Sequence, residues 1–200
     1  LVEANLTANP PVVQEMESDD RLRTQVQLAL EGFTTAGSRG SYVFWGLSAS
    51  AMVKDIGVVS PTPGQVVVSV LSTVADGVPD AALLALVEKT LTDEDVRPLT
   101  DQVIVQPAEI VNYTVEAVLT LYEGPDAEIV RANAEAAVLA FTQLHQKLGH
   151  DITVSGLHGA LHQEGVQNVS LVAPAGDLVI LPNQAPFCTS ITVTVGGRDV

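Results

Sequence analysis

Residues 53–70, V-K-D-I-G-V-V-S-P-T-P-G-Q-V-V-V-S-V, constrain the fold more than any other stretch. Val53, Ile56 and Val58 precede a Pro-Gly pair, and Val66, Val68 and Val70 alternate after it, the pattern of two strands with a buried face. Pro63 presets φ at the first central position of a turn, and Gly64 supplies the positive φ that a type II turn needs next. The pattern returns over residues 166–180. There Val166, Val169, Leu171, Pro174, Gly176, Leu178 and Ile180 match Val53, Ile56, Val58, Pro61, Gly64, Val66 and Val68, with one residue fewer in the turn. A helical pattern precedes each copy. The chain is therefore expected to be α+β, with two small mixed domains over 18–106 and 107–200. Each carries a helix followed by a Pro/Gly-turned β-hairpin. Ahead of them, residues 1–17 read as an extended N-terminal arm, since Pro10-Pro11 favours extended chain.

Two such domains need apolar material for two cores. Of the 200 residues, 46% are apolar and 16% charged, which suffices. Aromatics make up only 4%, so the cores must be built from Val, Leu, Ile and Ala. No apolar run approaches the roughly 18–20 residues of a membrane span, and membrane insertion is not expected. No charged-then-apolar leader is visible at the start, and the chain opens on Leu1 rather than Met. The net charge of −15, with nine basic residues spread from Arg21 to Arg198, argues against nucleic acid as a partner. Cys188 stands alone, which excludes an intrachain disulfide and fits a reducing compartment.

Along the chain, Ser18 or Asp19 can cap a first helix whose stripe Leu22, Val26 and Leu30 predicts a core-facing side, with Gly32 as the stop. Phe33, Tyr42, Phe44 and Trp45 are four of the eight aromatics. Tyr42, Trp45 and Ala49 share a helix face and read as core anchors. Pro79-Asp80 starts a helix with Leu83, Leu84, Val87 and Leu91 buried. Residues 103–105 and 110–122 read as strands. The second alternates Tyr113, Val115, Ala117, Leu119 and Leu121 against Thr114, Glu116, Val118 and Thr120. Gly124-Pro125-Asp126 opens the longest helix, with a stripe of Val130, Ala134, Ala137, Phe141, Leu144 and Leu148 and a stop at Gly149. Ser155 can cap a further helix carrying Leu157, Ala160 and Leu161. A turn-rich link over 182–186 leads to a last strand at 189–195.

The search for chemistry finds no catalytic, cofactor-binding or metal-binding residues. His158 and His162, four apart on a helix, could chelate zinc, but Gly159 stands where a metalloprotease needs its Glu. None of Glu164, His145, His150 and Cys188 sits at diagnostic spacing for a third ligand. Asp93 and Asp95 resemble the start of a calcium loop, yet Arg97 occupies a ligand position and the following Gly and Glu are missing. Gly37-Ser38-Arg39-Gly40 lacks the phosphate-loop spacing and its Lys. There is no nucleophile elbow. A zinc hydrolase on His158 and His162 remains as one rival. A small ligand-binding or regulatory domain, with Gly37–Gly40 as its pocket, is another.

Several ordered motifs nevertheless resemble one family. They are Glu17-Ser18-Asp19-Asp20-Arg21-Leu22-Arg23, Ala36-Gly37-Ser38-Arg39-Gly40-Ser41-Tyr42 with Trp45-Gly46-Leu47-Ser48, and Val53-Lys54-Asp55-Ile56 with Ser60-Pro61-Thr62-Pro63-Gly64. Asp95-Val96-Arg97-Pro98-Leu99-Thr100-Asp101 and Ile191-Thr192-Val193-Thr194-Val195 complete the set. In order and spacing these resemble the phage baseplate J-like family, with Gly46 standing where the family pattern has Ala. The resemblance covers nearly the whole chain from Glu17, and the family's own N-terminal region is expected to lie outside it. It implies a non-enzymatic wedge component of a contractile-tail baseplate, or the equivalent subunit of a tailocin or other contractile injection system. The implied partners are copies of itself and other baseplate wedge subunits, without nucleic acid, membrane insertion, small-molecule substrate or cofactor. The implied location is the virion's tail baseplate, assembled in the bacterial cytoplasm.

Overall fold

In a computed structural model, residues 19–29, 37–94 and 96–199 are described. The arm expected over 1–17 lies outside them, as do Ser18, Leu30, Gly32 and Phe33. The chain forms two compact units, one ending at Ala108 and the other opening at Glu109.

The first unit contains α1 (Asp19–Leu28), α2 (Arg39–Ala49), β1 (Val53–Val59), β2 (Gln65–Ser72), α3 (Ala81–Leu91) and β3 (Gln102–Pro107). The expected hairpin forms: β1 and β2 pair antiparallel, with Ile56 opposite Val70 and Val58 opposite Val68. Its turn is the anticipated one. Gln65 N–H donates to the Thr62 carbonyl at 3.0 Å, and Gly64 takes φ +79°. α3 then crosses over so that β3 lies parallel to β2, giving the order β1-β2-β3. Asp80 caps α3, its Oδ1 accepting from Leu83 N–H at 2.7 Å. Leu83, Val87 and Leu91 meet Tyr42, Leu47 and the inner face of the strands in one core.

Two expectations for this unit need correction. α1 forms, but Leu22 and Val26 are 52% and 66% exposed. Among the described residues of α1, Leu28 packs on the core. Helical spacing specifies that apolar residues share a face; it does not specify what covers that face. The glycine stretch is also shorter than a loop of four. Ser38 is already the N-cap of α2, accepting from Ser41 N–H at 3.1 Å, and Arg39 and Gly40 belong to the helix.

The second unit contains β4 (Glu109–Tyr122), α4 (Ala127–His145), α5 (Val154–Leu161), β5 (Val166–Ala173) and β6 (Gln184–Asp199). β4 is central in the order β5-β4-β6, antiparallel to β5 and parallel to β6. Its alternation is as read: Tyr113, Val115, Ala117, Leu119 and Leu121 are all buried. α4 is capped by Asp126, and packs on this face together with α5. Its buried column is Val130, Ala134, Val138 and Thr142, at a constant spacing of four. The expected stripe drifts off that column, and Leu144 is exposed. A straight helix packing along its i+4 ridge buries such a column, whereas a 4-3 alternation suits a supercoil.

The second hairpin is not formed. β5 pairs with β4 instead of folding back on residues 178–180. Leu178 exchanges backbone hydrogen bonds with Ile152, at 2.9 and 3.1 Å, and Ile180 N–H donates to Asp151 Oδ1 at 2.7 Å. Asp177 Oδ1 accepts from Val154 N–H at 2.7 Å. With one residue fewer in the turn, Gly176 does not take the left-handed conformation of Gly64. The two sheets do share a plan, since each central strand has one antiparallel and one parallel neighbour, but the connections differ. Two smaller corrections follow. Thr153, not Ser155, caps α5. The last strand starts at Gln184 and includes Pro186, which an edge strand tolerates because its missing N–H need not serve a ladder.

Candidate interaction surface

The candidate chemical groups do not assemble. α5 ends at Leu161, and His162 is its C-cap, its N–H donating to the His158 carbonyl at 2.9 Å, so the two histidines stay one helical turn apart but find no third ligand among the described residues. Among the described residues no group of three or more His, Cys, Asp or Glu could hold a metal ion. Cys188 Sγ donates to the Ser190 carbonyl at 3.3 Å. Burial raises the thiol's pKa against the opposing effect of the Ser190 and Val115 backbone hydrogen bonds, which lowers its fraction of nucleophilic thiolate. His145 stacks on Phe141 at 4.0 Å between ring centroids, and its Nδ1 lies 2.9 Å from the Phe141 carbonyl, a local packing role. Among the described residues no helix is long and apolar enough to cross a membrane.

What the first unit does assemble is a pinned loop over residues 96–101, tied back to Asp93. Val96 and Arg97 N–H both donate to the Asp93 carbonyl, at 3.0 and 2.9 Å. Asp101 N–H closes a turn on the Pro98 carbonyl at 3.1 Å, and Arg97 Nη1 reaches the Asp101 carbonyl at 3.4 Å. From α2, Tyr42 donates its hydroxyl to Asp101 Oδ2 at 2.7 Å. From the hairpin, the Gly64 carbonyl accepts from Gln102 N–H at 2.7 Å. Gly37 lies under this loop, where a Cβ would sit 2.5 Å from Pro98 Cγ. The glycine is thus a point of close packing and not the lip of a pocket. Gly46 has a similar cause, since a Cβ there would press on Ile56 at 3.0 Å.

Leu99 sits at the second position of the pinned turn and is 99% exposed. Close along the chain, Trp45, Leu86, Lys89, Thr90, Asp93 and Val96 line an open hollow of about 410 Å³. The composition of the loop carried one readable sign of this, an apolar residue flanked by Pro98 and Thr100. The second unit presents further exposed apolar side chains, Ile129, Leu139 and Leu144 on α4 and Val179 and Leu181 before β6. The outer strands β1 and β3, and β5 and β6, leave edges at both sheets. Exposed apolar side chains and open strand edges are features of protein–protein contact surfaces.

Comparison with known proteins agrees with the motifs. Residues 34–107 match the baseplate J-like central domain and residues 113–194 the baseplate J-like protein C-terminal domain. The chain belongs to the baseplate J-like family. It is 47% identical over 190 residues to baseplate protein J of Escherichia phage P2, across 95% of this chain and 63% of that relative's length. In fold it resembles a chain from the cryo-EM structure of the anti-feeding prophage baseplate, six-fold symmetrised. That match has a TM-score of 0.59 at 13% identity, over 95% of this chain and 44% of the other. The family pattern now has a physical meaning: Gly37, Tyr42, Gly64, Pro98 and Asp101, from three of its separate motifs, converge on one junction.

Proposed function

We propose that the chain is a structural subunit of the baseplate of a contractile phage tail, acting through protein contacts and not through catalysis. The 47% identity to baseplate protein J of phage P2 across nearly the whole chain is the observation that carries this reading. The pinned loop and the open strand edges suit it. In this role the subunit contacts further copies of itself and other baseplate wedge subunits, assembles in the host cytoplasm and resides in the virion. The fold likeness to the anti-feeding prophage baseplate favours a second reading, the equivalent subunit of a tailocin or other contractile injection system.

Deleting the coding segment and imaging the particles tests the proposal. Tails lacking baseplates, or sheaths without tails, are the expected result. Complete contractile tails in the deletion strain sink it. Immunogold labelling at the distal tail end, on particles with or without DNA-filled heads, separates the two readings.

A further inference from the structure

We propose that the outer edge of β6 pairs antiparallel with β6 of a second copy of this chain, joining two three-stranded sheets into one. The inference rests on the self-association proposed above and names its site. An edge strand turns a row of backbone N–H and C=O groups outward, and the complement of that row is another strand. Among the described residues, β4 is the one strand beside β6. Edges are kept from pairing by charge, proline, bulges or shortness. β1 carries Lys54 and Asp55, β3 has six residues ending in Pro107, and β5 has two ladder shifts within eight residues. β6 is 16 residues long, and no Lys, Arg, Asp or Glu occurs from Leu178 to Gly197. Its own ladder shifts, at Thr189 and Gly196, bracket a regular run over Ser190–Val195.

That run is its own complement. Paired about Val193, Ile191 meets Val195 of the other copy, Thr192 meets Thr194, and Val193 meets itself. The first set lies on the helix-covered face. Val193 is buried there, while Ile191 and Val195 pack on the core but stay partly exposed. At the edge they leave apolar surface that the same residues of a second copy cover. Thr192 and Thr194 are exposed on the opposite face, where hydroxyl meets hydroxyl. A foreign strand needs only the backbone row; a two-fold contact also needs side chains that match themselves, as these do. Copies of net charge −15 repel, so a contact between them needs a surface without opposed carboxylates. Glu116 lies on β4 beside Thr192. Three strand spacings, about 14 Å, separate it from its counterpart, beyond the roughly 8 Å screening length at physiological salt. On α4, which packs against β6, Arg131 bridges Glu128 and Glu135 at 3.1 and 2.7 Å.

Sedimentation velocity of the whole chain over a concentration series tests the pairing. Wild type associates with rising concentration. Thr192→Lys with Thr194→Lys sets like charges opposite each other twice and weakens association about tenfold or more, although it makes the net charge less negative. Thr192→Lys with Thr194→Glu sets opposite charges across the pair and retains association. Both sites are exposed, so thermal midpoints stay close to wild type. Cross-linking gives the register directly. In a Cys188→Ser background, chains carrying Thr192→Cys are mixed with size-tagged chains carrying Thr194→Cys. A disulfide-linked dimer forms well above the level seen with a Gln143→Cys partner. Association unchanged by the double lysine variant, equal loss in both double variants, or cross-linking no better than the control overturns the β6 pairing and leaves self-association standing. A wild-type chain that stays monomeric throughout overturns both. A double lysine variant that loses capture of another baseplate subunit but still self-associates also overturns it, by assigning the edge to a different strand.

Discussion

Tyr42 and Asp101, 59 positions apart, meet in a 2.7 Å hydrogen bond that fastens the 96–101 loop to the buried face of α2. Tyr42 is itself among the largest fully buried side chains of the chain. The bond therefore ties the loop directly to a side chain of the first unit's core.

Tyr42→Phe keeps the ring and removes only the hydroxyl, so its effect isolates the bond. A loss of about 1–3 kcal/mol in urea unfolding is expected, as for a hydrogen bond to a carboxylate. Asp101→Asn should give a similar loss, and the double variant should cost less than the sum of the two. Strictly additive losses would mean that the pair contributes nothing as a pair.

Alkaline pH should unfold the protein through its buried tyrosines. Burial raises the pKa of Tyr42, the hydrogen bond to Asp101 and that residue's charge raise it further, and Arg97 pulls it back in part. Tyr113 is raised mainly by burial, then by Cys188. Unfolded tyrosine titrates near about 10. A folded value above that stabilises the fold fully below pH ~10 and loses the contribution as pH climbs toward the folded value. Stability should thus fall above pH ~10, with phenolate absorbance rising together with unfolding, and Tyr42→Phe should flatten the slope. If all three tyrosines ionise before circular dichroism changes, the account fails.

Gly37→Ala should be far costlier than an ordinary surface substitution. The residue has φ +64°, and the new Cβ would meet Pro98 Cγ at 2.5 Å. The backbone alone costs about 1 kcal/mol or more, and overpacking adds about 1–3 kcal/mol. Adding Pro98→Ala should recover the steric part and leave the backbone part. No recovery in the double variant would show that Pro98 yields freely.

Face assignments were legible wherever one strict period met one partner. β4 is the clearest case, with five alternate residues all buried. The pairing of strands was not legible. Val166 and Val169, three apart, are both buried because the register slips between Thr120 and Leu121, but such apolar positions serve any neighbouring strand equally, and β4 occupies the edge that residues 178–180 were expected to fill. The same limit applies to α1, where Leu22 and Val26 share a face and are exposed. At the pinned loop, sequence showed the motifs individually. Their convergence depends on contacts between residues 37, 42, 64, 98 and 101, which no local period encodes.

The two Pro/Gly turns, alike in sequence, should therefore respond differently to the same substitution. Gly64 has φ +79°, and a Cβ there finds ordinary contact with the Thr100 carbonyl at 3.4 Å, so Gly64→Ala loses through backbone strain. About 1–2 kcal/mol is expected. Gly176 has no left-handed φ, and a Cβ there would meet nothing within 4 Å. Gly176→Ala should be neutral or stabilise by up to about 1 kcal/mol, because alanine narrows the unfolded ensemble. Thermal unfolding of the two single variants under one buffer decides it. Equal losses at both positions would mean that residues 174–176 do form a left-handed turn, and that the second hairpin exists after all.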